Sequence, residues 1–188
     1  MKKHLLVIAH PGKEGYCRNI ENAIIEAVGE TNIGVRDLYK QNFNPVLTSD
    51  DLAKFRVGKT AEDILIEQSY IADSDYLHFV YPIWWSGMPA ILKGYLDRVF
   101  AFGFAYINNG ETVKGNLHGK KAVIYNTHGE PLSKLIESGV LDGMNTIVKK
   151  GIFDFCGIET IAHHYFEDGK NSEMLSHQDI IAKVKTSL

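Results

Sequence analysis

Cysteine is scarce in this chain of 188 residues. Cys17 and Cys156 form no CxxC pair and no zinc-ligand spacing, which argues against a disulfide framework or a zinc module. The default reading of both is a free thiol in a reducing compartment, each acting as a small hydrophobe. A basic excess is also missing. The formal net charge is −3 and the pI about 6.2, so the electrostatic footprint of a nucleic-acid binder is absent. No apolar run approaches the ~18 residues that a membrane span needs, and Leu5 to Ala9 is too short for a signal-peptide core. The expected location is cytoplasmic, without membrane insertion. HExxH and GxSxG are absent, so neither the common zinc-hydrolase motif nor the serine-hydrolase elbow is present. His163 and His164 are neighbours on an expected strand, so they point to opposite faces and cannot chelate one metal. His118 and His177 read as surface residues, and no metal site is expected.

What the chain does contain is a strict alternation. Leu5 to Ala9, Ile33 to Leu38, Tyr76 to Tyr81, Lys121 to Asn126 and Ile158 to His163 read as five strands. Between them lie helical patterns. One carries Ile20, Ala23, Ile24, Ala27 and Val28, with Gly29 as its stop; another carries Ile91, Leu92, Tyr95, Leu96, Val99 and Phe100 after Pro89. Thr60 with Asp63, and Ser176 with Asp179, read as helix caps. Tyr39 to Lys59 reads as a long loop with one helical turn, Phe102 to Gly119 as a loop, and Ser133 to Asp154 as a helical segment weakened by Gly139 and Gly143. Strands alternating with helices build a parallel sheet covered on both faces. The predicted architecture is one α/β domain over residues 1–188, three-layer and flavodoxin-like, with strand order 2-1-3-4-5.

Ligands of open parallel sheets bind beyond the strand carboxyl ends, where the order reverses. That selects three loops: His10 to Asn19, Pro82 to Gly87 and Thr127 to Pro131. The first enters a helix N-terminus, a natural phosphate seat, with Gly12 and Gly15 permitting close backbone approach and Lys13 and Arg18 as charge donors. A plain connection would look the same. In the second, Trp84 and Trp85 offer a flat apolar wall for a planar ring; core or interface filling is the competing reading. The third supplies Thr127, His128, Gly129 and Glu130 as donors, with a turn into solvent the competing reading for Glu130.

Pro82-Ile-Trp-Trp-Ser-Gly-Met-Pro-Ala-Ile-Leu-Lys-Gly-Tyr-Leu-Asp-Arg-Val-Phe100 resembles the NAD(P)H:quinone oxidoreductase family, as do Ala9-His10 with Asn19, Phe104-Ala-Tyr106, Asp142-Gly-Met-Asn145 and Phe155-Cys-Gly157. The resemblance spans nearly the whole chain. It implies a non-covalent flavin at a homodimer interface, with FMN favoured over FAD because the small ancillary subunits of potassium efflux systems, which this chain resembles, use FMN. It places flavin contacts at His10, at Tyr16, Cys17, Arg18 and Asn19, at Pro82, Ile83, Trp84 and Trp85, and at Thr127, His128, Gly129 and Glu130. It implies ping-pong transfer of two electrons from NAD(P)H to a quinone, azo or nitro compound that enters the pocket the donor has left. The Tyr and His that mammalian members carry before Gly-Asp-Met-Asn fall on Leu135 and Leu141 here, so that pair is not carried over. The third loop departs from the mammalian Thr-Thr-Gly-Gly: His128 and Glu130 stand there either as functional substitutes or as a change in acceptor choice, with the catalytic residue unassigned and His128 its candidate. The first loop lacks the family's frequent Ser or Thr, so phosphate binding must lean on amides and Arg18. The alternative role is a flavin-binding regulatory subunit docking on a potassium efflux transporter. A plain electron carrier fits poorly, because such carriers are strongly acidic and have a Ser/Thr-rich phosphate loop.

Overall fold

A computed structural model describes residues 2–108, 110–169 and 174–188. Strands β1 (His4–Ile8), β2 (Ile33–Asp37), β3 (Tyr76–Pro82), β6 (Lys121–His128) and β7 (Glu159–Glu167) form one sheet in the order β2-β1-β3-β6-β7. All four pairings are parallel. Counted within this sheet, the order is the expected 2-1-3-4-5. β1 and β3 are buried along their whole length, as nearly unbroken apolar strands in a doubly covered sheet should be.

Two cores form, one on each face. Leu6, Ile8, Val80 and Val123 pack under α1 (Tyr16–Val28) and α7 (His177–Lys185), through Ile20, Ala23, Ile24, Ile180 and Val184. Leu5, Val7, Leu77, Phe79 and Ile124 pack under α3 (Glu62–Ala72), α4 (Ala90–Val99) and a π-helical segment (Ile147–Phe153). Each fully buried Leu, Ile or Val contributes roughly 1.5–3 kcal/mol. Gly94 is required where α4 crosses the loop before α2 (Ser49–Arg56): a Cβ there would lie 2.1 Å from the Pro45 carbonyl oxygen.

The helix caps divide in two. Ser176 caps α7 as expected, accepting from the Asp179 N–H. Thr60 and Asp63 do not cap α3, whose N-cap is Ala61. Asp63 instead accepts a 2.6 Å bond from Arg98. The reciprocal capping box lies earlier, between Thr48 and Asp51, and it opens α2 inside the segment expected to be a loop. Asp51 serves twice, since it also pairs with the buried Arg98. The Phe102 to Gly119 loop contains an antiparallel ribbon, β4 (Tyr106–Asn108) and β5 (Val113–Gly115). The ribbon presses on the turn before β7, where a Cβ on Gly115 would lie 2.3 Å from the Cys156 carbonyl carbon. The expected helix from Ser133 is broken into α5 (Leu132–Glu137) and α6 (Val140–Thr146), because Gly139 takes left-handed backbone at φ 72°. α6 runs on into the π segment, and Gly143 stays helical.

Candidate functional site

The carboxyl ends of β1, β3 and β6 lie side by side, and their loops form one rim. Ala9 N–H donates to Val80 O at 3.0 Å, and Ile83 N–H donates to Thr127 O at 2.8 Å, locking the three strand ends together. Cys17 Sγ lies 3.4 Å from Thr127 Oγ1, joining the first loop to the third. Burial pushes the Cys17 thiol up to about 11, so it stays protonated and structural; Cys156 is likewise pushed up to about 11.

The first loop is tightly braced. Arg18 is buried and makes four hydrogen bonds: to Gly12 O, to His10 O, to Glu21 and to Asp37. Burial alone would raise the Asp37 carboxyl, but bonds from Arg18 and the Lys40 N–H outweigh it and hold the group below its usual value. All three guanidinium nitrogens are therefore committed inward, and Arg18 shapes the loop rather than projecting from it. This removes the charge-assisted phosphate contact expected of its side chain. Lys13 and Asn19 face solvent. His10 is half-buried; its Nδ1 accepts from the Gly12 N–H, and its ring centroid lies 6.5 Å from Trp84. Tyr16 is buried, and its hydroxyl accepts from Leu175 N–H. Gly15 caps α1 at φ 107° with no side-chain cap. Among the described residues, the Tyr16 and Cys17 N–H groups of the first turn have no hydrogen-bond partner. They are open donors at the positive end of a helix.

The second loop is a two-residue hairpin. Trp84 and Gly87 exchange both backbone hydrogen bonds, at 2.9 and 3.0 Å. Trp85 and Ser86 between them have φ of 51° and 56°. Left-handed backbone is strained for a bulky residue, and such strain gathers at functional sites. Trp85 is fully exposed at 102% and Trp84 is 42% exposed, so neither fills core. Pro82 is buried at the end of β3, and Ile83 is partly buried.

In the third loop Thr127 and His128 are buried. His128 Nδ1–H donates to Glu130 O at 2.7 Å, since the carbonyl can only accept. Gly129 and Glu130 are exposed. The Glu130 carboxylate turns to Lys134 at 3.2 Å on the surface. Among the described residues, the N–H groups of Trp85, Ser86, Gly129 and Glu130 have no hydrogen-bond partner. All three loops thus carry unpartnered backbone donors at the same end of the sheet. That donor set fits an acceptor-rich ligand with a phosphate at one end and a carbonyl-bearing planar ring at the other.

The chain matches the Flavodoxin_2 family, described as flavodoxin-like fold, over residues 2–188. It is 42% identical over 169 residues to an uncharacterized NAD(P)H oxidoreductase of Haemophilus influenzae, covering 88% of this chain and 83% of that one. The chain belongs to the NAD(P)H:quinone oxidoreductase family. A second member, NAD(P)H dehydrogenase [quinone] 1 of Rattus norvegicus, is 30% identical over 183 residues, covering 86% of this chain and 67% of that one. The solved structure of Smu.1420 from Streptococcus mutans UA159 superposes with a TM-score of 0.85 at 30% identity, covering 98% of each chain.

Sequence reasoning overlooked one group of this family member's residues. Beside the second loop, Tyr81, Asn126 and His163 line a cavity of about 260 Å³ together with Met144 and Val148. They come from three strands and the α6–π segment, with no shared motif. The opposite-face reading of His163 and His164 was the available clue, and it holds: His163 meets Asn126, and His164 meets Ser187. Among the described residues, no group of His, Cys, Asp or Glu is placed to hold a metal ion, and no helix is long and apolar enough to cross a membrane.

Proposed function

We propose that this chain passes two electrons from NAD(P)H to a quinone, azo or nitro compound through a flavin held by its three loops. The observation that carries this reading is the convergence of unpartnered backbone donors at the reversal of strand order, in a chain of this family. The α1 N-terminus, with Gly12 to Gly15 and the exposed Lys13, would hold the phosphate. The hairpin Trp84 to Gly87 would flank the ring, and the Gly129 and Glu130 N–H groups would meet its pyrimidine edge. A bound flavin supplies the hydride-accepting and hydride-returning chemistry. The chain's own contribution is orientation, together with neutral donors preorganised where negative charge develops. His128, buried beside that edge with its Nδ1–H committed to the Glu130 carbonyl, is the candidate group for holding a proton there. FMN is favoured because one helix end and one exposed lysine suit a monophosphate. Electron entry and exit are two half-reactions, with the donor leaving before the acceptor arrives.

The exposed rings of Phe102 and Phe155 both contact Tyr106, with centroids at 5.8 and 5.2 Å. An apolar patch of this kind marks an association surface, and supports a homodimer. The place of action is the cytoplasm.

An absorption spectrum with added FMN or FAD, followed by anaerobic NADPH, tests the reading. Flavin bands should appear, bleach with NADPH and return with menadione. Bound flavin that no nicotinamide reduces would point instead to a regulatory subunit of a transporter. No binding of either flavin would overturn the proposal.

A further inference from the structure

On the α1/α7 face, a buried row of polar rings crosses the sheet. His4 stacks on Tyr76 at 4.8 Å and on His78 at 5.3 Å. His4 Nδ1 lies 3.0 Å from His78 Nε2, and His78 Nδ1 lies 3.3 Å from the Tyr125 hydroxyl. The Tyr125 ring packs on His164 at 5.3 Å. Ser187 and Leu188, just beyond α7, close the row at both ends. Leu188 O accepts from the Tyr76 hydroxyl at 3.0 Å. Ser187 Oγ donates to Lys183 O at 3.2 Å, so its 2.7 Å contact with His164 is donated by the His164 Nε2–H. Tyr76 stands on β3 and His164 on β7, with β6 between them. The two residues therefore reach across β6, which carries Tyr125.

The row has little room for added protons. The facing nitrogens of His4 and His78 share one hydrogen. With both rings protonated, two N–H groups would point at each other across that contact, and it must part. A protonated His164 would stand near the Lys183 cation, on the helix whose end it holds. Burial lowers the pKa of all three histidines, that of His78 to about 3; Asp75 opposes the effect at His4, while His4 adds to it at His78 and Lys183 at His164. The remaining charged groups nearby are Lys2, Lys3 and Asp73, which line a surface cavity with His4, and Lys121, over the Tyr76 ring at 5.6 Å. In water a histidine titrates near 6.5. The closed row is thus favoured above that value, and acid favours any state in which the row meets solvent.

The helix so held backs a functional element. Val184 is fully buried in the same core as Ile20 and Ile24 of α1. At its other end α7 meets α1 through His177 and Glu26 at 2.8 Å, and Leu175 N–H donates to the Tyr16 hydroxyl. We propose that the end of α7 is an acid-released latch: protonation of the histidine row frees its last turn from the sheet, and α1 loses part of its backing. The latch depends on the row alone. Its effect on a flavin phosphate at α1 rests on the function proposed above.

Hydrogen exchange on the unaltered, flavin-free protein reads the latch, as protection factors at pH 7 and pH 5. Protection from Val184 to Ser187 should fall at least about tenfold at the lower pH, while β1 and β3 keep theirs. The triple variant His4→Gln, His78→Gln, His164→Gln has no titrating row, so its protection there should start lower and stay level. Protection that does not change with pH in the unaltered protein overturns the proposal. So does a fall shared by β1 and β3, which is unfolding of the whole domain, and so does an equal fall in the triple variant. Should the triple variant not fold, as judged by circular dichroism, Ser187→Ala replaces it. With one tether cut, acid opening should move to higher pH, and an unmoved midpoint overturns the proposal. FMN titration then reads the effect on α1. The flavin phosphate itself titrates near pH 6, so the comparison is between proteins. From pH 7 to pH 5 the affinity should fall several-fold further in the unaltered protein than in the triple variant, or than in Ser187→Ala, which is already loosened at pH 7. An identical fall overturns the link to α1. Absence of flavin binding at pH 7 would instead sink the proposed function, and the exchange result would still stand on its own.

Discussion

His163 and His164 leave β7 in opposite directions and enter differently built surroundings. On the α1/α7 face, a closed row crosses the sheet. His4 Nδ1 lies 3.0 Å from His78 Nε2, His78 Nδ1 lies 3.3 Å from the Tyr125 hydroxyl, the Tyr125 ring packs on His164, and His164 Nε2 reaches Ser187 Oγ at 2.7 Å. His78 and Tyr125 are fully buried. On the other face, the row of Tyr81, Asn126 and His163 is equally well bonded but ends at a cavity. Both rows satisfy their polar groups internally, as burial demands. The closed row has nothing left over for a ligand. The open one places a neutral, preorganised wall where a small molecule can reach it. Buried polar residues alone therefore do not mark a site; an adjoining empty volume does.

The largest expected contrast comes from truncation. Tyr125→Ala removes a fully buried ring from the closed face and should cost about 3–5 kcal/mol in urea denaturation, whereas Met144→Ala only widens an existing cavity and should fall near the low end of the ~2–5 kcal/mol range for such changes. Equal losses would erase the distinction between the two faces.

Acid should act on both faces. Burial, with His4 adding to it, holds the His78 pKa at about 3, and His163 is held at about 4. Both lie below the value near 6.5 for an unfolded histidine. The unfolded chain then binds more protons below that value, so stability falls as pH drops from about 6.5 toward 4. The slope is about 1.4 kcal/mol per pH unit for each such histidine. Denaturation midpoints between pH 7 and 4.5 check this, and the double variant His78→Leu with His163→Gln should flatten the curve.

Single replacements sharpen the comparison further. His164→Gln should cost about 1 kcal/mol for its hydrogen bond and lower the exchange protection of the α7 end at pH 7. His163→Gln should cost no more and leave that protection unchanged. An equal loss of protection from both would show that the closed row does not hold the end of α7.

The smallest effect on stability belongs to the hairpin. Trp85→Gly relieves left-handed backbone and should stabilise by up to about 1 kcal/mol. Trp85→Ala should weaken flavin retention, measured by equilibrium dialysis. Unchanged retention in both Trp84→Ala and Trp85→Ala would remove the tryptophans from the flavin site.

Most of the sheet was legible because its strands are continuous apolar runs, and alternation with helices leaves few topologies. The three loops followed from that topology. α2 was hidden because only Leu52 and Phe55 carry its apolar pattern, and because Thr60–Asp63 imitates the box that Thr48–Asp51 forms. The ribbon was hidden because three-residue strands have too few positions to show alternation. Arg18 looked like a ligand-facing cation; its inward turn depends on Asp37, which only the β1–β2 pairing brings near.

The sequence by itself determined the layered α/β architecture, the order of the sheet and the rim where the loops meet, because hydrophobic periodicity and the handedness of parallel crossovers act over short stretches of chain. Tertiary structure alone decided which polar residues are spent on the fold and which face open space. Those outcomes depend on contacts between residues far apart in sequence, such as Tyr81 with Asn126 and Asn145 with Tyr165, and on the volume left over after the helices have packed.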